Sequence, residues 1–436
     1  MSHYIIQGGS KLKGAVTVNS TKNSTVALLC ASLLNSGTTE LLNFPSLEET
    51  KRIMEVLSSI GVKFSWKDKR HLIIKPPAKV NLAAINYQSA VKTRSVLMLF
   101  GPLIHQFNSF KLPKSGGCKL GLRTITPYIY AFENFGITIK SLAKYYQVKR
   151  IARAKVNREI IMYESGDTAT ECVLMAAALT PKEITVKYAS ANYQVQELCF
   201  YLQLLGVKIK GIGTTTLTVK GVKSINRHVK YHLAEDPIEA MLYLSLAATT
   251  NSGITIKGCP IDFLELELLK LEKMGFKYTI LRKYLSKNGQ TKLVDIKTRP
   301  SKLTALREKL YGRPYPGINI DNLPFFVPIA TQALGRTLIH DWVYENRAIY
   351  FNELSRLGAS LTLADPHRVY IDGPTKLVGN EIVCPPSLRP SVIIVIAMLA
   401  ATGRSVLRNT YNIDRGYENL HESLKKLGAK IERLED

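Results

Sequence analysis

The sequence predicts an α/β protein of two domains, each a pseudo-threefold repeat of a βαβαββ-type unit. Three observations carry this. The chain has 436 residues, more than one hydrophobic core usually serves. A hydrophobic-Gly step followed by an alternating strand recurs six times. Helical stretches that are apolar nearly all round recur between these steps, as expected of helices enclosed within a domain.

The six steps are Ser58-Ser59-Ile60-Gly61-Val62-Lys63, Glu133-Asn134-Phe135-Gly136-Ile137-Thr138, Gln203-Leu204-Leu205-Gly206-Val207-Lys208, Glu272-Lys273-Met274-Gly275-Phe276-Lys277, Ser355-Arg356-Leu357-Gly358-Ala359-Ser360 and Lys425-Lys426-Leu427-Gly428-Ala429-Lys430. Their glycines lie 75, 70, 69, 83 and 70 residues apart. Each step closes an amphipathic helix such as Glu49–Leu57, with apolar residues at i, i+3 and i+4. The glycine can take the left-handed conformation at the helix end without a Cβ clash. The strand that follows alternates, as in Val207-Lys208-Ile209-Lys210. The enclosed helices are typified by Val173–Leu179 and Val392–Ala401. A linear solenoid is disfavoured, because the units are longer than most solenoid repeats and the ends lack distinct capping units.

Composition narrows the function. Hydrophobic residues make up 46% and charged residues 21%, an ordinary globular balance. No apolar run reaches 18 residues, so no membrane span or membrane partner is expected. Met1–Ile6 is not a basic segment leading into an apolar core, and six scattered cysteines form no CxxC pair. Both features point to free thiols and a cytoplasmic setting. A net charge of +25 favours anionic partners, but the basic residues are spread along the chain rather than blocked, which weighs against nucleic acid.

Several motifs stand out. Thr21-Lys22-Asn23 precedes the apolar helix beginning at Val26, and a lysine beside a helix N-terminus is a natural anion site. Pro113–Arg123 is a basic loop with three glycines, and Lys114 and Lys119 flank Cys118 in a way that favours its thiolate. Read alone, Lys22 is most often a solvated charge, a single Cys a core residue, and Asn319-Ile320-Asp321-Asn322 a turn.

With the six-fold repeat, these motifs resemble the enolpyruvyl transferases, and among them the branch that acts on UDP-N-acetylglucosamine in peptidoglycan synthesis. The resemblance runs from Ile6-Gln7-Gly8-Gly9 to Ile413-Asp414-Arg415-Gly416-Tyr417-Glu418. It implies two inside-out α/β domains, 21–235 with the cysteine loop and 1–20 plus 236–436. It also implies transfer of the enolpyruvyl group of phosphoenolpyruvate to the 3′-hydroxyl of UDP-N-acetylglucosamine, with release of phosphate. Lys22, Arg94, Arg123, Arg389 and Arg415 match residues that bind phosphoenolpyruvate, and Lys22 also counts among the catalytic residues the resemblance implies. Cys118 matches the cysteine that handles the C3 proton, and Asp321 the carboxylate that takes the hydroxyl proton. Asn23, Thr124, Ile125, Thr126, Thr168, Asp321 and Arg347 fall at acceptor positions. No metal or organic cofactor is implied, since arginines and lysines supply the positive charge. The partners expected are small molecules, with the oligomeric state open.

The acceptor side departs from the family pattern. Arg-Pro-Val-Asp-x-His becomes Arg123-Thr124-Ile125-Thr126-Pro127-Tyr128. Lys-x-Ser-Val-Gly-Ala-Thr-Glu becomes Glu164–Glu171, with Glu164 in place of the lysine. Arg-Glu-Pro-Glu becomes Ala191-Asn192-Tyr193-Gln194, and Asp-Leu-Arg becomes Ser387-Leu388-Arg389. Two alternatives therefore stay open: a paralogue using another nucleotide, nucleoside or sugar acceptor, and a non-catalytic basic protein that keeps the fold.

Overall fold

A computed structural model describes residues 2–114 and 124–435. The chain falls into two compact units, one running from Ser20 to Ala234, the other joining the residues up to Asn19 with those from Glu235 onward.

Each unit contains three sheets. In five of the six, one strand order recurs: a parallel strand, then the strand after the enclosed helix, then two antiparallel strands, which form a hairpin in four sheets and are the chain's first and last strands, Ser2–Gly8 and Lys430–Glu435, in the fifth. The sheet holding Glu159–Ile161 is representative. That strand pairs in parallel with Glu183–Lys187, which pairs antiparallel with Thr216–Lys220, which pairs antiparallel with Lys208–Lys210. The helix Asp167–Ala178 links the first two strands, and Tyr193–Leu204 leads into the hairpin. This is the βαβαββ unit of the sequence. One copy departs from it: the sheet of Ser109–Pro113, Tyr145–Arg150 and Ile137–Ser141 has three strands among the described residues.

The recurring glycines behave as their position requires. Gly61, Gly136, Gly206, Gly275, Gly358 and Gly428 all have φ between 68° and 106°. At Gly61 the N–H of Val62 reaches back to the carbonyl of Leu57 and the Gly61 N–H to that of Ser58, a Schellman closure. Corresponding bonds run from Val207 to Leu202, Phe276 to Leu271, Ala359 to Leu354 and Ala429 to Leu424. A Cβ at these positions would sit in the sparsely allowed left-handed region.

The enclosed helices are buried along nearly their whole length. Pro237–Thr249 is buried at every residue, and Leu388–Ala400 at all but its two end residues. Where proline interrupts this position, at Pro102 and at Pro324, the helix breaks into a 3₁₀ turn followed by a short α segment. In the Ser20–Ala234 unit these helices join one hydrophobic cluster extending from Val26 to Leu233. The five described cysteines (Cys30, Cys172, Cys199, Cys259, Cys384) are free and buried, and burial pushes their thiols up. No described helix is long and apolar enough to cross a membrane.

Candidate active site

Asp321 anchors the candidate site of the unit that contains the C-terminal half. It lies where the chain turns into the 3₁₀ segment Leu323–Phe325, and its N–H donates to Asn319 Oδ1 at 2.9 Å. The loop is tied down from below by Glu267. One oxygen of that buried acid accepts from the Asn319 N–H at 3.1 Å and from Asn322 Nδ2 at 2.9 Å. Burial raises the Glu267 carboxyl, and these donors partly oppose the rise.

Two arginines converge on Asp321. Arg389 sits in the first turn of Leu388–Ala400, and its Nη2 is 3.1 Å from Asp321 Oδ2. Its Nη1 donates to the Tyr417 hydroxyl at 2.6 Å. Arg347 Nη1 is 3.5 Å from Asp321 Oδ1. The rest of its guanidinium is committed inside the unit: Nε and Nη2 to Asp341 at 2.5 and 3.0 Å, and Nη2 to the Ile320 carbonyl at 2.6 Å. Arg347 and Asp341 are each 1% exposed. Burial works to lower the Arg347 pKa, but the adjoining Asp341 carboxylate more than offsets this and holds it above the ordinary value. Arg347 thus reaches the open face through Asp321, whose side chain is 24% exposed. Arg415 caps the helix Tyr411–Asp414, two residues before Tyr417. Burial pushes the Tyr417 phenol up, and Arg389 works against it.

In the other unit, Lys22 and Asn23 open the helix Lys22–Ala31, both half-buried. That first turn contains no acidic residue, so nothing there opposes the positive end of the helix. Asn23 Nδ2 donates to the Tyr193 hydroxyl and to Gln194 Oε1, each at 2.9 Å. Gln194 Nε2 donates in turn to Glu171 Oε1 at 3.2 Å. Glu171 is fully buried, and desolvation with the nearby Asp167 raises its carboxyl well above the usual range. Arg94 begins the 3₁₀ segment Arg94–Leu99 and donates to the Thr124 carbonyl at 3.0 Å. The hydroxyls of Thr124 and Thr126 are 2.7 Å apart, while Ile125 between them turns into the core. Thr168 is half-buried in the first turn of Asp167–Ala178.

At that helix start the chain supplies its own carboxylates. Asp167 accepts from Ser190 Oγ at 2.5 Å and from Asn192 Nδ2 at 2.9 Å. Glu164 lies against Gly166, the helix N-cap, where its Oε1 would be 2.9 Å from an added Cβ. Cys118 and Arg123 lie outside the described residues. The structure therefore groups Asp321, Arg347 and Arg389 in one unit, and Asn23 with partners in the other. Sequence reasoning missed Asp341 and the bonds of Tyr193 and Gln194, because no local spacing ties Asp341 to Arg347 or Asn23 to Gln194.

The family model described as EPSP synthase (3-phosphoshikimate 1-carboxyvinyltransferase) matches residues 6–424. A UDP-N-acetylglucosamine 1-carboxyvinyltransferase of Treponema denticola is 32% identical over 439 residues, covering 100% of both chains. One from Coprothermobacter proteolyticus is 32% identical, covering 100% of this chain and 98% of its own. Among solved structures, the enolpyruvyl transferase NikO from Streptomyces tendae superposes with a TM-score of 0.84 at 23% identity, covering 99% of each chain. An EPSP synthase from Acinetobacter baumannii does so at 0.75 and 16%, covering 100% of each. With a two-domain α/β fold, a family match over nearly its whole length and full-length carboxyvinyltransferase relatives, the chain belongs to the EPSP synthase family of enolpyruvyl transferases.

Proposed function

We propose that this protein transfers the enolpyruvyl group of phosphoenolpyruvate to the 3′-hydroxyl of UDP-N-acetylglucosamine and releases phosphate. The observation that carries the reading is the end-to-end similarity to UDP-N-acetylglucosamine 1-carboxyvinyltransferases at 32% identity. The local chemistry supports it. A half-exposed carboxylate is what an attacking hydroxyl needs as proton acceptor. Arginines offer the planar fork that suits the phosphate and carboxylate of the donor.

In this reading Asp321 takes the hydroxyl proton as the acceptor oxygen adds to C2 of phosphoenolpyruvate, and Cys118 delivers a proton to C3. Loss of phosphate from C2 and of a proton from C3 then restores the double bond. Lys22, Arg94, Arg123, Arg389 and Arg415 bind the donor. Asn23, Thr124, Thr126 and Thr168 face the acceptor, with Ile125 packing beneath and Arg347 acting through Asp321. The finer architecture proposed is an inside-out α/β arrangement with domain crossings near Ser20-Thr21 and Ala234-Glu235-Asp236. A cytoplasmic role in cell-wall synthesis accompanies it.

A second reading has its own observation. Asp167, fixed by Ser190 and Asn192, and Glu164 beside it place two carboxylates at the start of the helix Asp167–Ala178. A diphosphate held there would be repelled by roughly 1 kcal/mol or more per carboxylate. This favours an acceptor without a diphosphate at that point. Phosphate release from phosphoenolpyruvate, measured with UDP-N-acetylglucosamine, UMP and uncharged sugars, separates the readings. Turnover with the first supports the proposal. Turnover only with another acceptor selects the second reading, and none with any acceptor contradicts both.

A further inference from the structure

Asn23 is held in a way that decides what it offers. A carboxamide has two N–H donors and one carbonyl acceptor. Both donors of Asn23 point inward, to Tyr193 Oη and Gln194 Oε1. Those two partners are 5% and 4% exposed, so the bonds lie away from water. Gln194 is oriented in its turn, because its own Nε2 is spent on Glu171 Oε1 at 3.2 Å. Glu171 sits at 0% exposure, and its Oε2 has no hydrogen-bond partner among the described residues. The chain of amides therefore runs in one direction, with each nitrogen giving to the next oxygen inward. What remains of Asn23 on its half-buried outer side is the carbonyl oxygen Oδ1.

We propose that Tyr193 and Gln194 are positioning residues that lock the Asn23 amide with its oxygen outward, so that the acceptor meets Asn23 through a hydrogen-bond donor, a hydroxyl or an amide N–H. The inference rests on the reading of Asn23 as an acceptor-facing residue. It selects against acceptors that present only a carbonyl or phosphate oxygen at this point, since two oxygen acceptors facing each other leave both unsatisfied. The family pattern has a glutamate where Gln194 stands. Here an amide can both accept from Asn23 and donate to Glu171, which a carboxylate cannot.

The test uses the full chain, with UDP-N-acetylglucosamine and phosphoenolpyruvate as substrates. Gln194→Leu removes the clamp and keeps the volume. It is expected to raise the acceptor KM about tenfold, the loss of one well-placed hydrogen bond, with the phosphoenolpyruvate KM unmoved. In an Asn23→Ala background the same change is expected to cost less than about twofold, because Gln194 acts only through Asn23. Tyr193→Phe gives a smaller rise than Gln194→Leu. An equal cost with and without Asn23, or a matching rise in the KM of the donor, would overturn the assignment.

A second measurement needs no turnover and separates failure of this inference from failure of the acceptor reading. In free protein carrying ¹⁵N-labelled asparagine, the Asn23 side-chain amide protons should exchange slowly with solvent. They should lose that protection in Gln194→Leu while the backbone amides of Lys22–Ala31 keep theirs. Exchange of Asn23 at the rate of an open amide in the unaltered protein overturns the proposal, whatever the acceptor proves to be.

Discussion

The Asp321 carboxylate is held by full charges, whereas the Asn23 side chain is held by a neutral amide and a hydroxyl. Asp321 is gripped by Arg389 and Arg347, and Arg347 is itself held by a buried carboxylate. Asn23 is held by a phenol and an amide, and behind them stands a buried acid whose carboxyl is pushed well above the usual range by desolvation. The contrast teaches a division of labour. Charged groups suit a small trianion and a proton transfer, where strong fields stabilise developing charge. Neutral directional groups suit an acceptor that must be told from its analogues, because an unmatched donor or acceptor is penalised once water is excluded.

The largest expected effect breaks the charged side. Arg347→Met leaves Asp341 buried with no cation, and should destabilise the protein by about 3–5 kcal/mol. Chemical denaturation measures this. A loss below about 1 kcal/mol would mean that Asp341 finds another partner or escapes to water. Next comes Asp321→Ala, which should lower kcat by about 10²–10⁴-fold as a lost proton acceptor while phosphoenolpyruvate still binds. Calorimetric titration of the donor, run beside the turnover assay, separates the two effects. Cys118→Ser should also reduce turnover strongly, or shift it to acidic pH, without changing the thermal midpoint. Unaltered rates would remove Cys118 from the reaction.

The smallest effect concerns pH. Burial pushes the Glu239 carboxyl up to about 7, although the Asn19 N–H, Asn19 Nδ2 and the Tyr243 hydroxyl donate to it. Its folded value lies above the unfolded one, so the folded state binds the proton more tightly. The corresponding stability is complete below about pH 4.3 and fades as pH rises to about 7. Glu239→Gln should remove this part of the slope in unfolding free energy over that window. An unchanged slope would mean that Glu239 ionises as an ordinary carboxylate.

The fold was legible where a local rule demanded one residue type. Gly61 and its five counterparts had to be glycine to close a helix at positive φ, so the period showed in the sequence. The enclosed helix Leu388–Ala400 declared itself by having no polar face. That the sheet of Ser109–Pro113 has three strands among the described residues could not be read, because strand pairing is a tertiary property with no local signature. Asp321 and Arg389, which the structure pairs, were singled out through the family motif. The pairing of Arg347 with Asp341 was not, since their meeting depends on tertiary placement. Gln194 looked like a mere departure from the family pattern until its two bonds identified it as the link between Asn23 and Glu171.

The most direct test is proton NMR of phosphoenolpyruvate mixed with UDP-N-acetylglucosamine and the enzyme. A new pair of vinyl signals on the 3′-O-enolpyruvyl product should grow as free phosphate appears, and both should appear about 10²–10⁴-fold more slowly with Asp321→Ala. Vinyl signals that stay on phosphoenolpyruvate with UDP-N-acetylglucosamine, yet move to another acceptor, would contradict the account.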